Sequence, residues 1–119
     1  PALILAPALG LVETPARLTF NVDRRTAHSG QAFTFTGKLY LGPATLTKLG
    51  KSVSIQYRSG ASWLPLREVK ADKRGVFRAT YSMNPSRPLR LTLRAFVDPD
   101  EYWPFLEGAS RQLSIVIRP

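Results

Sequence analysis

The chain has no cysteine, a single histidine and only eight acidic residues in 119. Without cysteine, disulfides, cysteine-built zinc sites and a thiol nucleophile are excluded. That absence does not place the protein inside a cell, because a core of this size needs no covalent staple. No glycine-rich phosphate loop, catalytic carboxylate pair or metal-ligand cluster is present. No apolar run reaches the roughly 20 residues of a bilayer-spanning helix. No window carries a 3.6-residue period, so little helix is expected.

What is present is alternation. Length allows one domain, and 44% hydrophobic with 21% charged residues is an ordinary globular composition. From Ala16 onward seven runs alternate apolar and polar residues, the mark of half-buried strands. They centre on Leu18–Phe20–Val22, Phe33–Phe35–Leu39, Val53–Ile55–Tyr57, a weaker Leu64–Leu66–Glu68, Phe77–Ala79–Tyr81, Leu89–Leu91–Leu93–Ala95 and Leu113–Ile115–Ile117. Turn chemistry separates them at His28-Ser29-Gly30, Leu49-Gly50-Lys51, Ser59-Gly60-Ala61 and Asp72-Lys73-Arg74-Gly75, while Pro85 and Pro88 stop a ladder between the fifth and sixth runs. Seven short strands at this spacing predict an all-β, immunoglobulin-like antiparallel sandwich over residues 16–119.

Several of these segments resemble prokaryotic cell-surface Ig-like repeats. Gly30-Gln31-Ala32-Phe33-Thr34-Phe35-Thr36-Gly37 is similar to the opening of their second strand. Val53–Arg58, then Trp63 and Val69, are similar to the third and fourth. Asp72-Lys73-Arg74-Gly75-Val76-Phe77 resembles their D-x-x-G-x-F turn, and Tyr102 through Ser110 their closing segment. The resemblance implies a spacer, stalk or adhesion unit.

Residues 1–15 stand apart as an extension, and 1–12 carry no charge. Pro7 and Gly10 oppose a helix. Read as a strand, the segment presents Leu3, Leu5, Leu9 and Leu11 on one face. Three placements fit: a split first strand of its own sandwich, a donor strand completing a neighbouring copy's sheet as in donor-strand-complemented pilins, or the remnant of a trimmed signal or membrane anchor. A chain that begins at Pro1 is expected to be processed or to be an excerpt.

Seventeen basic residues give a net charge of +9, and residues 51–97 carry ten of them. Arg58, Arg78, Arg90 and Arg94, with Tyr40, are expected to point outward and offer a basic, aromatic face for single-stranded nucleic acid or another polyanion. Residues 98–110 carry Asp98, Asp100, Glu101 and Glu107 with no base, which suits contact with a basic face of another copy. Asp98, Asp100 and Glu101 are also spaced like part of a calcium loop, although Pro99 weakens that reading. Beside them Tyr102, Trp103 and Phe105 form either a cap on the core or an exposed contact loop. His28 sits next to Ser29, and adjacent strand-like side chains diverge, so with Asp23 they make no triad.

The reading as a whole is a non-enzymatic structural or adhesive module, extracellular or at the cell surface, needing no cofactor. Its expected partners are copies of itself or a neighbouring β-domain, joined through residues 1–12. The polyanion-binding domain is the alternative.

Overall fold

Phe33, Phe35 and Leu39 alternate with threonines and a lysine, so one face of that segment is apolar and the other wet. In the computed structural model, which describes residues 16–40, 51–98 and 107–119, those three side chains are almost wholly buried. Ten strands and no helix form among the described residues. They are β1 (Arg17–Leu18), β2 (Asn21–Val22), β3 (Thr26–His28), β4 (Phe33–Tyr40), β5 (Ser52–Ser59), β6 (Ser62–Lys70), β7 (Val76–Tyr81), β8 (Leu89–Val97), β9 (Gly108–Ala109) and β10 (Leu113–Arg118). All seven predicted runs are therefore strands. The expectations for residues 1–15, including Leu3, Leu5, Leu9 and Leu11, and for Tyr102, Trp103 and Phe105 lie outside the described residues.

The strands make two sheets. In the smaller, β4 is flanked by β1 and β2 on one edge and by β7 on the other. The larger runs β3-β10-β8-β5-β6, with β9 also paired to β8. This is the predicted Ig-like sandwich with one refinement. The first run forms β1 and β2, both in the smaller sheet, and the chain then crosses to the larger sheet, where β3 joins β10 in parallel. The crossing at residues 23–25 is held from both sides. Asp23 Oδ1 accepts the Thr34 N–H at 2.9 Å, and the Arg25 carbonyl accepts the Val116 N–H at 2.8 Å.

Between the sheets lie Phe33, Phe35, Phe77 and Leu39 from one side and Val53, Ile55, Leu93, Val97, Ile115 and Ile117 from the other, all fully buried. Phe35 stacks with Phe20 at 5.4 Å and with Phe33 at 6.2 Å between ring centroids. Burying side chains of this size is worth ~1.5–3 kcal/mol each, and this core holds the two sheets together.

The link from β6 to β7 explains its own sequence. Asp72 accepts the N–H groups of Arg74 (2.8 Å) and Val76 (2.9 Å), which closes the turn. Gly75 adopts φ +84°, and a Cβ there would lie 2.2 Å from the Leu39 carbonyl oxygen. The D-x-x-G pattern is thus the chemistry of a tight turn pressed against a neighbouring strand. Ser110 joins β9 to β10 in a similar way: its hydroxyl accepts the Ala95 N–H at 2.9 Å and donates to the Arg111 carbonyl.

The weak fourth run also has a cause. Opposite β5, strand β6 shifts register between Ile55 and Gln56, where Ile55 faces Arg67 and Gln56 faces Pro65. Leu66 is the extra residue, a β-bulge that resets the alternation. Trp63, Leu66 and Val69 are the half-buried positions of β6, three residues apart. Leu64 is exposed.

Candidate functional site

The bulge determines which way Trp63 points. Trp63 pairs with Arg58 of β5, whose neighbours Ile55 and Val53 alternate into the core, so both lie on the outer face of the larger sheet. On β8, Leu93, Ala95 and Val97 are buried, which turns Arg94 and Phe96 outward two residues apart on the same face. Gln56 of β5 is the cross-strand partner of Arg94.

These side chains form a ladder of alternating cations and rings. The Arg58 guanidinium lies 5.6 Å from the Trp63 ring centroid, and that of Arg94 lies 4.4 Å from it. Arg94 also covers Phe96 at 4.7 Å. All are within the ~6 Å at which the ring quadrupole attracts a cation. Each guanidinium is oriented through its Nε alone. Arg94 Nε donates to Gln56 Oε1 at 2.8 Å, and Arg58 Nε to the Gly60 carbonyl at 3.1 Å. Among the described residues no carboxylate comes within ion-pair distance of either. Among the described residues no hydrogen bond engages the Nη groups of either fork.

Burial under the aromatic rings lowers the pKa of Arg94 from its usual value, the Glu107 carboxylate pulls it back up, and Arg58 lowers it further. Arg94 remains a cation at any ordinary pH. Two like charges are gathered around one indole with their hydrogen-bonding edges turned outward, an arrangement suited to receiving an oxyanion.

The expected polyanion face is only partly assembled. Arg58 and Arg94 meet at Trp63. Arg90 shares their sheet face but lies further along β8, opposite Val116. Arg78 lies on β7 in the smaller sheet, opposite Thr36, and lines an open cleft with Arg67 and Glu68. Tyr40 belongs to a second cluster on the smaller sheet, where Arg17 (5.0 Å) and Lys38 (5.8 Å) approach its ring. Of the four arginines, Arg58 and Arg94 thus stand together, while Arg90 and Arg78 lie apart from them.

His28 ends β3, exposed, and faces Arg118 across the parallel pair. Asp23 is committed to Thr34, so with Ser29 these residues assemble no triad. Asp98 holds the Lys51 ammonium through its carbonyl oxygen at 2.5 Å; Asp100 and Glu101 lie outside the described residues.

No protein-family model and no curated protein matches the sequence. Among solved structures, the chain is similar to superoxide reductase (neelaredoxin) from Ignicoccus hospitalis. The TM-score is 0.55 and the identity 11%, over 92% of this chain and 97% of that one. A substituted form of the same enzyme matches with the same score and identity, over 99% and 92%. These neighbours are superoxide reductase domains and not cell-surface Ig-like repeats or pilus subunits, so the resemblance to surface repeats is corrected. With it fall the expectations of a non-catalytic adhesive module and of a chain that is not an enzyme, since the neighbours are enzymes. The motifs that carried that resemblance are turn and strand chemistry that any sandwich of this kind can share.

Reducing superoxide is one-electron chemistry and draws on a metal or organic cofactor. The residues here do not fit such a metal centre. One histidine and no cysteine are available in 119 residues, and among the described residues no three of His, Cys, Asp or Glu come together. At 11% identity the likeness to these enzymes establishes the shared sandwich.

Proposed function

We propose that this chain acts on a small oxyanion, captured on the outer face of the larger sheet by Arg58, Trp63, Arg94 and Phe96. One observation carries the reading: two guanidinium forks flank one indole, each tied down through Nε, with no carboxylate of the described residues in ion-pair reach. The net charge of +9 adds long-range attraction for anions. The enzymes whose fold it shares act, by name, on superoxide, itself a small anion.

A charge-assisted fork at a partly exposed site is worth ~1.5–3 kcal/mol, which corresponds to dissociation constants on the order of 10 mM for a simple monoanion. The test is an NMR titration with acetate, following the Arg94 and Arg58 Nε–Hε signals at low ionic strength. Saturable shifts that vanish in Arg94→Gln support the reading. Shifts that grow linearly, or survive that substitution at every site, sink it. Stopped-flow decay of superoxide with and without the protein then decides whether superoxide is itself the anion acted on.

A further inference from the structure

Resting on that reading, we infer that the anion is a short dicarboxylate that bridges Arg58 and Arg94 across the edge of Trp63. The inference comes from the pairing of the forks. Their distances to the indole centroid, 5.6 and 4.4 Å, put the two guanidinium carbons no more than about 10 Å apart. A monoanion seated on one fork leaves the other as a bare cation beside it. A dianion neutralises both.

The orientation of the forks favours planar acceptors. With Nε engaged by Gln56 Oε1 on one side and by the Gly60 carbonyl on the other, each guanidinium keeps its Nη donors for a carboxylate. A carboxylate accepts from such a fork in two parallel hydrogen bonds, a geometry that rewards flat oxyanions. Between the forks the ligand's path runs over an indole edge, where methylene groups sit better than water or a third charge. With both forks on one sheet face, carboxylate carbons seated above them lie no further apart than the ~10 Å ceiling on the guanidinium carbons, which at ~1.25 Å of extension per bond admits at most about seven methylenes and so includes succinate and glutarate.

The surroundings supply selectivity. Glu107 lies close enough to raise the pKa of Arg94. A carboxylate there disfavours a ligand that carries negative charge along its whole length, as a polyphosphate does, and admits one with charge only at its ends. Neither fork has to be built by the ligand. Trp63 is half-buried and both forks are already held through Nε, so the site is organised before binding.

The experiment is isothermal calorimetry and NMR on the full chain with succinate, glutarate, acetate and tripolyphosphate at one ionic strength. Succinate or glutarate is expected to bind at least about tenfold more tightly than acetate, because the second carboxylate arrives already tethered. Arg58→Gln is expected to reduce the dicarboxylate to the affinity of acetate, because a single fork then remains to hold it. Thermal melting of each variant confirms that these surface changes leave the fold intact. Dicarboxylates no tighter than acetate, with acetate still dependent on Arg94, overturn the bridging ligand and leave the oxyanion site standing. Tripolyphosphate preferred over both dicarboxylates also overturns it. No Arg94-dependent binding of any of the four removes both.

Discussion

Gly37 lies in β4 directly opposite Phe77 of β7, where the first run of the chain breaks between β1 and β2. A Cβ added at Gly37 would lie 2.2 Å from Phe77 Cζ, 2.2 Å from the Thr19 carbonyl oxygen and 2.8 Å from Phe77 Cε1. Carbon contacts are comfortable near ~3.5–4.0 Å, so Gly37→Ala demands a displacement of more than an ångström in two directions. Thr19 cannot yield easily. Its N–H donates to the Lys38 carbonyl at 2.9 Å, and its hydroxyl accepts the Lys38 N–H at 3.0 Å. The Phe77 ring, only 1% exposed, must therefore shift out of the core. Overpacking of this kind costs ~1–3 kcal/mol, and partial loss of a buried ring adds ~1–2 kcal/mol. The reduced entropy of the unfolded chain returns ~0.4–1 kcal/mol. The net expectation is a loss of about 2–4 kcal/mol, a large part of the ~5–15 kcal/mol that holds a domain together. Urea denaturation reads it as a lower midpoint at unchanged slope. Adding Phe77→Leu to Gly37→Ala should cost less than the two changes summed, because the smaller side chain makes room. A loss under about 0.5 kcal/mol for Gly37→Ala refutes the reasoning, since the ring and carbonyl would then not be held where the register places them.

Three further outcomes follow from the same geometry. The Asp72 carboxyl titrates below its usual value because the Val76 and Arg74 N–H groups bond its charged form. The unfolded chain takes up that proton first, so the contribution of Asp72 is complete above the unfolded pKa near ~3.9 and fades as pH falls through the lower folded value. The gap in urea midpoint between the native chain and Asp72→Ala should accordingly close as pH drops from about 5 toward about 2, and a gap independent of pH contradicts it. A double-mutant cycle between Trp63→Ala and Arg94→Met should return a coupling of ~0.5–1 kcal/mol, the range for partly exposed cation–π pairs, and a coupling of zero would dissolve the ladder. Incubation with excess ferrous iron and desalting should leave well under one iron per chain, because one histidine and no cysteine supply no nitrogen or sulfur donor set. A stoichiometric, coloured iron complex would reverse that.

The period-two runs made the sandwich legible from residues alone. Where a strand buries Phe33, Phe35 and Leu39, the same alternation that drives burial is written in the chain. The parallel β3–β10 pair was not legible, because a three-residue strand such as Thr26–His28 carries no periodicity of its own. Nor was the Leu66 bulge, which displaces the pattern of β6 by one residue. That bulge hid Trp63: Arg58 and Arg94 were readable as outward-facing cations, but Trp63 was not recognisable as the ring between them, and Phe96 lies one residue beyond the Leu89–Ala95 run. Arg78 followed the same outward rule and still fell on the other sheet, since alternation fixes the face of a strand and not which sheet the strand joins. The D-x-x-G turn at Asp72–Gly75 misled about family for a related reason. It is required wherever a chain turns tightly against a carbonyl such as that of Leu39, whatever the protein does.

The most direct test of the oxyanion site is the Arg94 Nε–Hε resonance during titration with succinate, compared between the native chain and Arg94→Gln by parallel calorimetry. A saturable shift of that resonance, with heat of binding that disappears in the variant, is the predicted result. Heat of binding unchanged by Arg94→Gln, or a resonance that does not move while succinate binds, would contradict it.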